Sequence, residues 1–178
     1  MKTLIALTVF SVLASVASAA DNPYAGQEER PIKALSEQEI SDYLHGRGMG
    51  TSKAAELNHY PGPRHVLDHA AALGLSGHQK SEAQRIYDAM EKASSRIGQQ
   101  IVQKEAELEA LYASQRADAG NTRRVVDELA ALQAQFRLAH LDAHLAMKQV
   151  LSPQQIAAYD RVRGYGSTKS HEAGHKHH

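Results

Sequence analysis

The chain has 178 residues, with 20 Lys plus Arg against 20 Asp plus Glu, 11 His, two Phe, seven Tyr and neither Cys nor Trp. So even a charge balance offers no basic face for phosphate and argues against nucleic acid as a partner. The lack of Cys excludes disulfides, thiolate metal sites and a cysteine nucleophile. Metal chemistry would have to use His, Met or carboxylates, and the core must come mostly from Ala, Leu, Ile and Val. That composition suits closely packed helices.

Residues 1–19 read as a cleavable export signal. Lys2 is followed by a run from Leu4 to Ala17 that is apolar apart from small hydroxyl residues, and Ala17-Ser18-Ala19 fits the small-x-small cleavage pattern. The run is shorter than the ~20 residues of a spanning helix, and no later segment is more apolar. The expected location is therefore the periplasm, with no integral membrane segment. Losing Lys2, the one charged residue of the signal, leaves 19 basic residues against 20 acidic ones.

Residues 20–63 are expected to form an N-terminal flexible segment with short helices. Asp21 to Ala34 is polar, holds Pro23 and Pro31, and reads as a lead-in. Ser36 with Glu39 makes a capping box that opens a helix to about Leu44, ended by Gly46, Gly48 and Gly50. A second short helix is expected over about 52–57. Tyr60-Pro61-Gly62-Pro63 then forms a rigid turn, because proline fixes φ and restricts the residue before it.

Residues 64–164 carry the main helical pattern. Val66, Leu67, Ala70 and Leu73 predict a helix over 64–73, stopped by Gly74. Ser76 with Gln79 caps a long helix in which Ile86, Met90, Ala93, Ile97, Ile101, Leu108 and Leu111 keep a spacing of three to four up to about Gln115. That helix would be roughly 60 Å long, with a bend expected at Gly98. Ala119-Gly120-Asn121 breaks the pattern, and Asn121 or Thr122 is the expected cap of the next helix. There Val125, Leu129, Leu132, Phe136, Ala139, Ala143, Ala146 and Val150 form a coiled-coil-like seam. The two long helices should fold back as an antiparallel hairpin. Ser152, Pro153 and Gln155 open a last helix to about Arg163. Residues 165–178 read as a disordered, His-rich tail.

Leu75-Ser76-Gly77-His78-Gln79 and Leu151-Ser152-Pro153-Gln154-Gln155 resemble the paired LTxxQ signatures of the Spy/CpxP family, with Ser in place of the usual Thr. The signature positions are Leu75, Ser76, Gln79, Leu151, Ser152 and Gln155. Residues 35–63, with Gly46-Arg47-Gly48-Met49-Gly50, resemble the branch described as periplasmic heavy-metal sensor or resistance proteins. The resemblance implies a bent all-α hairpin, often dimeric. Its members serve as ATP-independent chaperones of unfolded envelope proteins, as inhibitors in envelope stress that act on a membrane sensor or regulator, or as metal-binding sensors.

Read from the residues alone, the chemistry lies in the histidines. His140 and His144 are four apart, so both project from one helical face. At about 100° per residue from Phe136 they fall near 40° and 80°, at the edge of the seam. His65 and His69 repeat the spacing in the helix before the hairpin, and His65 is the expected third ligand for Zn, Ni, Co or Cu. The competing reading makes His140 a packing histidine and leaves His69 solvated. His171, His175, His177 and His178 in the tail are expected to bind metal weakly and without selectivity.

Leu138, Leu141 and Leu145 fall near 140–200°, opposite the seam, so this helix has a second apolar side. That stripe should pack on the N-terminal helices, on a second copy of the chain, or on an unfolded client. No phosphate loop, GxSxG elbow or HExxH helix is present. The expectation is a protein that binds, with no catalytic residue and no required cofactor.

Overall fold

The computed structural model describes residues 23–165, which form six helices and no strand. The expected export signal, Met1 to Ala19, and the four tail histidines lie outside the described residues. In chain order the helices are α1 (Glu37–Leu44), α2 (Lys53–Glu56), α3 (Pro63–Asp68), α4 (Gly77–Ala113), α5 (Ala119–Val150) and α6 (Pro153–Arg163). The architecture is all-α, as expected. α4 and α5 form the antiparallel hairpin, and α1 and α3 pack on α4.

Capping chemistry sets most of the boundaries. Ser36, Ser76 and Ser152 each accept from the backbone N–H three residues on, and Glu39, Gln79 and Gln155 each return a bond to the cap's own N–H. These reciprocal bonds satisfy donors that the first turn leaves without a partner. α5 differs from expectation, because its cap is Asp118. The Asp118 carboxylate accepts from Gly120 N and Asn121 N, and the Asn121 side chain bonds back to Asp118 N. Asn121 is thus the third residue of the box, and the chain reverses just before Ala119, helped by positive φ at Gln115.

The two family signatures meet at the base of the hairpin. Gln79 Nε2 donates to Gln155 Oε1 at 2.8 Å, and Gln155 Nε2 donates to Gln79 Oε1 at 3.0 Å. Gln79 also donates to the carbonyl of Val150 at 2.9 Å, at the end of α5. Leu75 and Leu151 are buried below in one apolar cluster with Val66, Ile86, Met147 and Tyr159. Each signature therefore buries a leucine, caps a helix and ties it to the other helix's cap.

α4 is one continuous helix from Gly77 to Ala113, so Gly98 does not break it. It is a contact point instead, since a Cβ there would run into the carbonyl of Tyr43 at the end of α1. One turn earlier Ser94 is fully buried, and its hydroxyl lies 2.7 Å from Met90 O and 3.1 Å from Gly46 O. Gly46 has φ of +62° and no room for a Cβ against Ser94, so glycine is required there twice over. Small residues on α4 thereby let α1 and the glycine loop sit directly on the hairpin. The lead-in is packed as well. Ile32 and Leu35 are buried, and Lys33 reaches Glu109 through both its backbone N–H and its ammonium.

Candidate metal centre

The hairpin has two apolar clusters. One lies at the base, and the other holds Ile97, Ile101, Val125, Leu129 and Phe136. The three buried polar side chains of the described residues, Ser94, His140 and His144, lie at the break between the clusters or next to it. Along α5 the order is Phe136 of one cluster, then His140, then Ala143 and Met147 of the other, with His144 between these last two. Both histidines lie deeper than the seam edge expected for them, at 4% and 6% exposure. The segment from Gly46 to Gly62 closes over the face that a bare hairpin would leave open.

A chamber of about 800 Å³ lies under this segment. His45, His65, His140 and His144 line it, with Met49, Met90, Glu56, Glu91 and the loop from Gly46 to Gly50. His65 therefore shares the chamber with the α5 pair, as the third-ligand expectation requires. It is partly exposed, 3.7 Å from Asp68, and burial together with Arg163 holds its pKa below the ordinary range. His69 caps the end of α3 and is not among the lining residues.

The two α5 imidazoles are prepared differently. His144 Nδ1 lies 2.7 Å from the carbonyl of Tyr60, which can only accept, so Nδ1 carries the proton. In the neutral ring Nε2 then keeps its lone pair, as it does in metal-bound histidines oriented by a backbone carbonyl. Burial, reinforced by the neighbouring His144, pushes the His140 pKa down to about 4. His140 is thus a free base at neutral pH, the form that ligates metals. Its Nε2 is buried without a hydrogen-bond partner, and its ring packs on Phe136 with centroids 5.0 Å apart.

Glycines keep space open at both rings. A Cβ on Gly62 would lie 2.9 Å from His144 Cε1, 3.1 Å from His144 Nε2 and 3.5 Å from Glu56 Oε2. Gly62 has φ −83° and ψ 142°, which any residue before proline adopts, so space and not backbone freedom calls for glycine. At Gly48 a Cβ would touch His140 Nδ1 at 3.4 Å.

Glu56 links this region to the C-terminal helix. Its Oε1 accepts from Tyr159 at 2.6 Å, from Tyr165 at 2.9 Å and from Arg163 at 3.2 Å. Its Oε2 is buried without a hydrogen-bond partner, 3.8 Å from His144 Nδ1. Burial and the adjacent carboxylate hold the Tyr159 phenol well above its usual pKa, so that hydroxyl remains a donor. Among the described residues no three His, Asp or Glu side chains stand close enough together to hold a metal ion by themselves. Paired imidazoles are donors of the kind that suits a first-row transition ion, but those of the described residues would not by themselves complete a coordination sphere.

A family model described as heavy-metal resistance matches residues 3–158. The chain belongs to the heavy-metal resistance family. No curated protein and no solved structure matches it. Membership agrees with the branch that the glycine segment and paired caps resemble. In this heavy-metal resistance protein no described helix is long and apolar enough to cross a membrane.

Sequence reasoning missed Glu56 and Gly62. Glu56 is one acid in a four-residue helix, and nothing in the linear pattern distinguishes it from a solvated charge. Gly62 reads as part of a Pro-Gly-Pro turn, and its role depends on a histidine 82 positions later.

Proposed function

We propose that this protein supports heavy-metal tolerance in the periplasm by binding a divalent first-row transition metal, with His140 and His144 as the protein's donor pair. One observation carries the reading. Two imidazoles four residues apart on α5 are buried in one chamber, one with its tautomer set by Tyr60 and the other with an unpartnered Nε2. A packing histidine would be expected to find a hydrogen-bond partner, because an unsatisfied buried nitrogen costs about 1–3 kcal/mol. Family membership supports the same reading. The protein acts by binding and release, as a sensor or buffer, and not by catalysis. His65 lines the same chamber and is the candidate for a further donor.

Calorimetric titration with Zn²⁺, Ni²⁺, Co²⁺ and Cu²⁺ tests this. The chain used should carry Ala at His171, His175, His177 and His178, so that only the chamber is read. Micromolar binding that disappears in the His140→Ala, His144→Ala variant is the expected result. Unchanged binding, or none before mutation, would make these packing histidines.

A chaperone reading has its own support. Leu138 and Leu145 are each 53% exposed and Leu141 is half-buried, so the N-terminal helices leave this stripe of α5 uncovered. Self-association or capture of unfolded envelope proteins would cover it, at ~25 cal/mol for each Å² of apolar surface buried. Light scattering at high concentration, repeated on Leu138→Ser, Leu145→Ser, distinguishes these uses. A dimer lost on mutation supports self-association, and a monomer that still suppresses aggregation of a denatured client supports capture.

A further inference from the structure

We infer that residues 166–178 fold back into the chamber and that one of their histidines, with His171 the first within reach, joins His144 and His65 around a single metal ion. The inference rests on the metal reading above and names the donor that completes the site. The tail begins at the chamber. Tyr165, the last described residue, is itself part of the chamber wall, and its hydroxyl lies 2.9 Å from Glu56 Oε1. The tail therefore sets out from the edge of the site and not from a distant surface.

The same carboxylate marks the donors that are open to a ligand. Glu56 Oε2 lies 3.8 Å from His144 Nδ1, and His65 is within electrostatic reach of both Glu56 and Arg163. Of the α5 pair, His144 has the open nitrogen. Its Nδ1 is committed to the Tyr60 carbonyl, whereas its Nε2 has no hydrogen-bond partner among the described residues and is not fully enclosed, in contrast to His140 Nε2. Gly62 keeps that side clear, because a Cβ there would approach His144 Nε2 to 3.1 Å and Glu56 Oε2 to 3.5 Å. His65 keeps 42% of its side chain exposed and lines the same chamber. A partly exposed imidazole, an imidazole with an open Nε2 and the root of the tail thus share one carboxylate neighbour.

The length and sequence of the tail suit that position. His171 follows Tyr165 by six residues, a span of up to about 20 Å, so it can pass along the Tyr165 side chain and across the 2.9 and 3.8 Å contacts at Glu56 to the His144 ring. The intervening Gly166-Ser167-Thr168-Lys169-Ser170 carries no large apolar side chain that would have to be buried on the way. His171, His175, His177 and His178 are four of the 13 tail residues, so a chain turned into the chamber presents an imidazole in several registers. A chamber of about 800 Å³ has room for such a segment beside an ion whose donors stand at about 2.0–2.2 Å. A donor tethered this closely acts at millimolar effective concentration, which converts a weak, unselective tail ligand into a third donor at a scaffolded site.

Ni²⁺ titrations of four proteins test the proposal: the full chain, the chain with alanines at the four tail histidines, His144→Ala, and both changes together. The expected result is one ion per chain, held at least tenfold more tightly by the full chain than by the tail-alanine chain, with that advantage absent when His144 is replaced. Circular dichroism checks folding, and His65→Ala repeats the cycle at a partly exposed position should His144→Ala not fold. Since the chain has no Cys, nitroxides at Ala54→Cys and Ala173→Cys report on the tail directly. Zn²⁺ should bring them to one short, narrow distance in the full chain and leave a broad distribution when the tail histidines are replaced. Two ions per chain, with the tail and His144 losses simply additive, would make the tail a separate site; the proposal then falls and the metal reading stands. Equal affinity of the full and tail-alanine chains has the same meaning. Ni²⁺ binding that ignores both His144 and His65, or no binding at all, removes the metal reading along with the proposal.

Discussion

The base of the hairpin and its waist are built from the same helices but have opposite economies of polar atoms. At the base, Gln79 and Gln155 are partnered by each other and by backbone carbonyls, over a core of aliphatic side chains and Tyr159. At the waist, Ser94, His140 and His144 interrupt the apolar run, and two buried atoms, His140 Nε2 and Glu56 Oε2, have no partner. A satisfied polar network stabilises one arrangement, whereas unsatisfied groups in a buried site are held ready for something else. The base therefore fixes the fold, and the proposed binding is assigned to the waist.

The largest expected break in this contrast is Gly98→Ala. In an ordinary helix that exchange stabilises by up to about 1 kcal/mol. Here the methyl meets the Tyr43 carbonyl, and since backbone cannot rotate away, the cost should be about 3 kcal/mol with α1 and the glycine loop displaced. Denaturant unfolding and amide exchange over residues 37–50 check this. A stabilised variant would show that α1 does not dock as described.

Acid should also act through the waist. His140 has its pKa lowered to about 4 from an ordinary value of 6.5, so the unfolded chain binds a proton more readily than the folded one. Its stabilising contribution is complete above about pH 6.5 and is lost as pH falls toward 4, for about 2–3 kcal/mol in metal-free buffer. Unfolding free energies measured across that window should fall with acid in the parent chain and much less in His140→Phe. Equal slopes would remove His140 from the account.

Gly62→Ala sharpens the comparison by separating binding from folding. Its backbone conformation suits alanine, so the loss of stability should be limited to the crowding of the buried His144 ring, about 1 kcal/mol, while the methyl also crowds His144 Nε2 and metal affinity falls about tenfold, or 1.4 kcal/mol. Affinity that is unaffected would place the ion away from that nitrogen. The smallest effect belongs to the base, where Gln79→Ala and Gln155→Ala should couple by about 1 kcal/mol in a double-mutant cycle. They should leave metal affinity alone, and additive losses would deny that the two caps support each other.

Helix existence and most helix ends were legible in the sequence, because they depend on local chemistry. A serine and a glutamine or glutamate three residues apart satisfy the same backbone donors wherever they occur, and Ser36, Ser76 and Ser152 do so here. The hairpin followed from the three-to-four spacing on both long helices. The α5 cap was misplaced because Asp118 and Asn121 both suit capping, and their shared box chooses between them. The histidine pair was also legible, since four residues on a helix bring two side chains to one face.

Tertiary structure alone decided what covers that face. The glycine loop, α2 and the turn at Tyr60 are short and lack periodicity, so their position over α5 is set by contacts far away in sequence: Gly46 on Ser94, Tyr43 on Gly98, and Tyr60 on His144. Those contacts bury His140, set the His144 tautomer and bring Glu56 and His65 to the chamber. Sequence determines the helices through bonds that span three or four residues, and the site through close approaches that span 48 to 84.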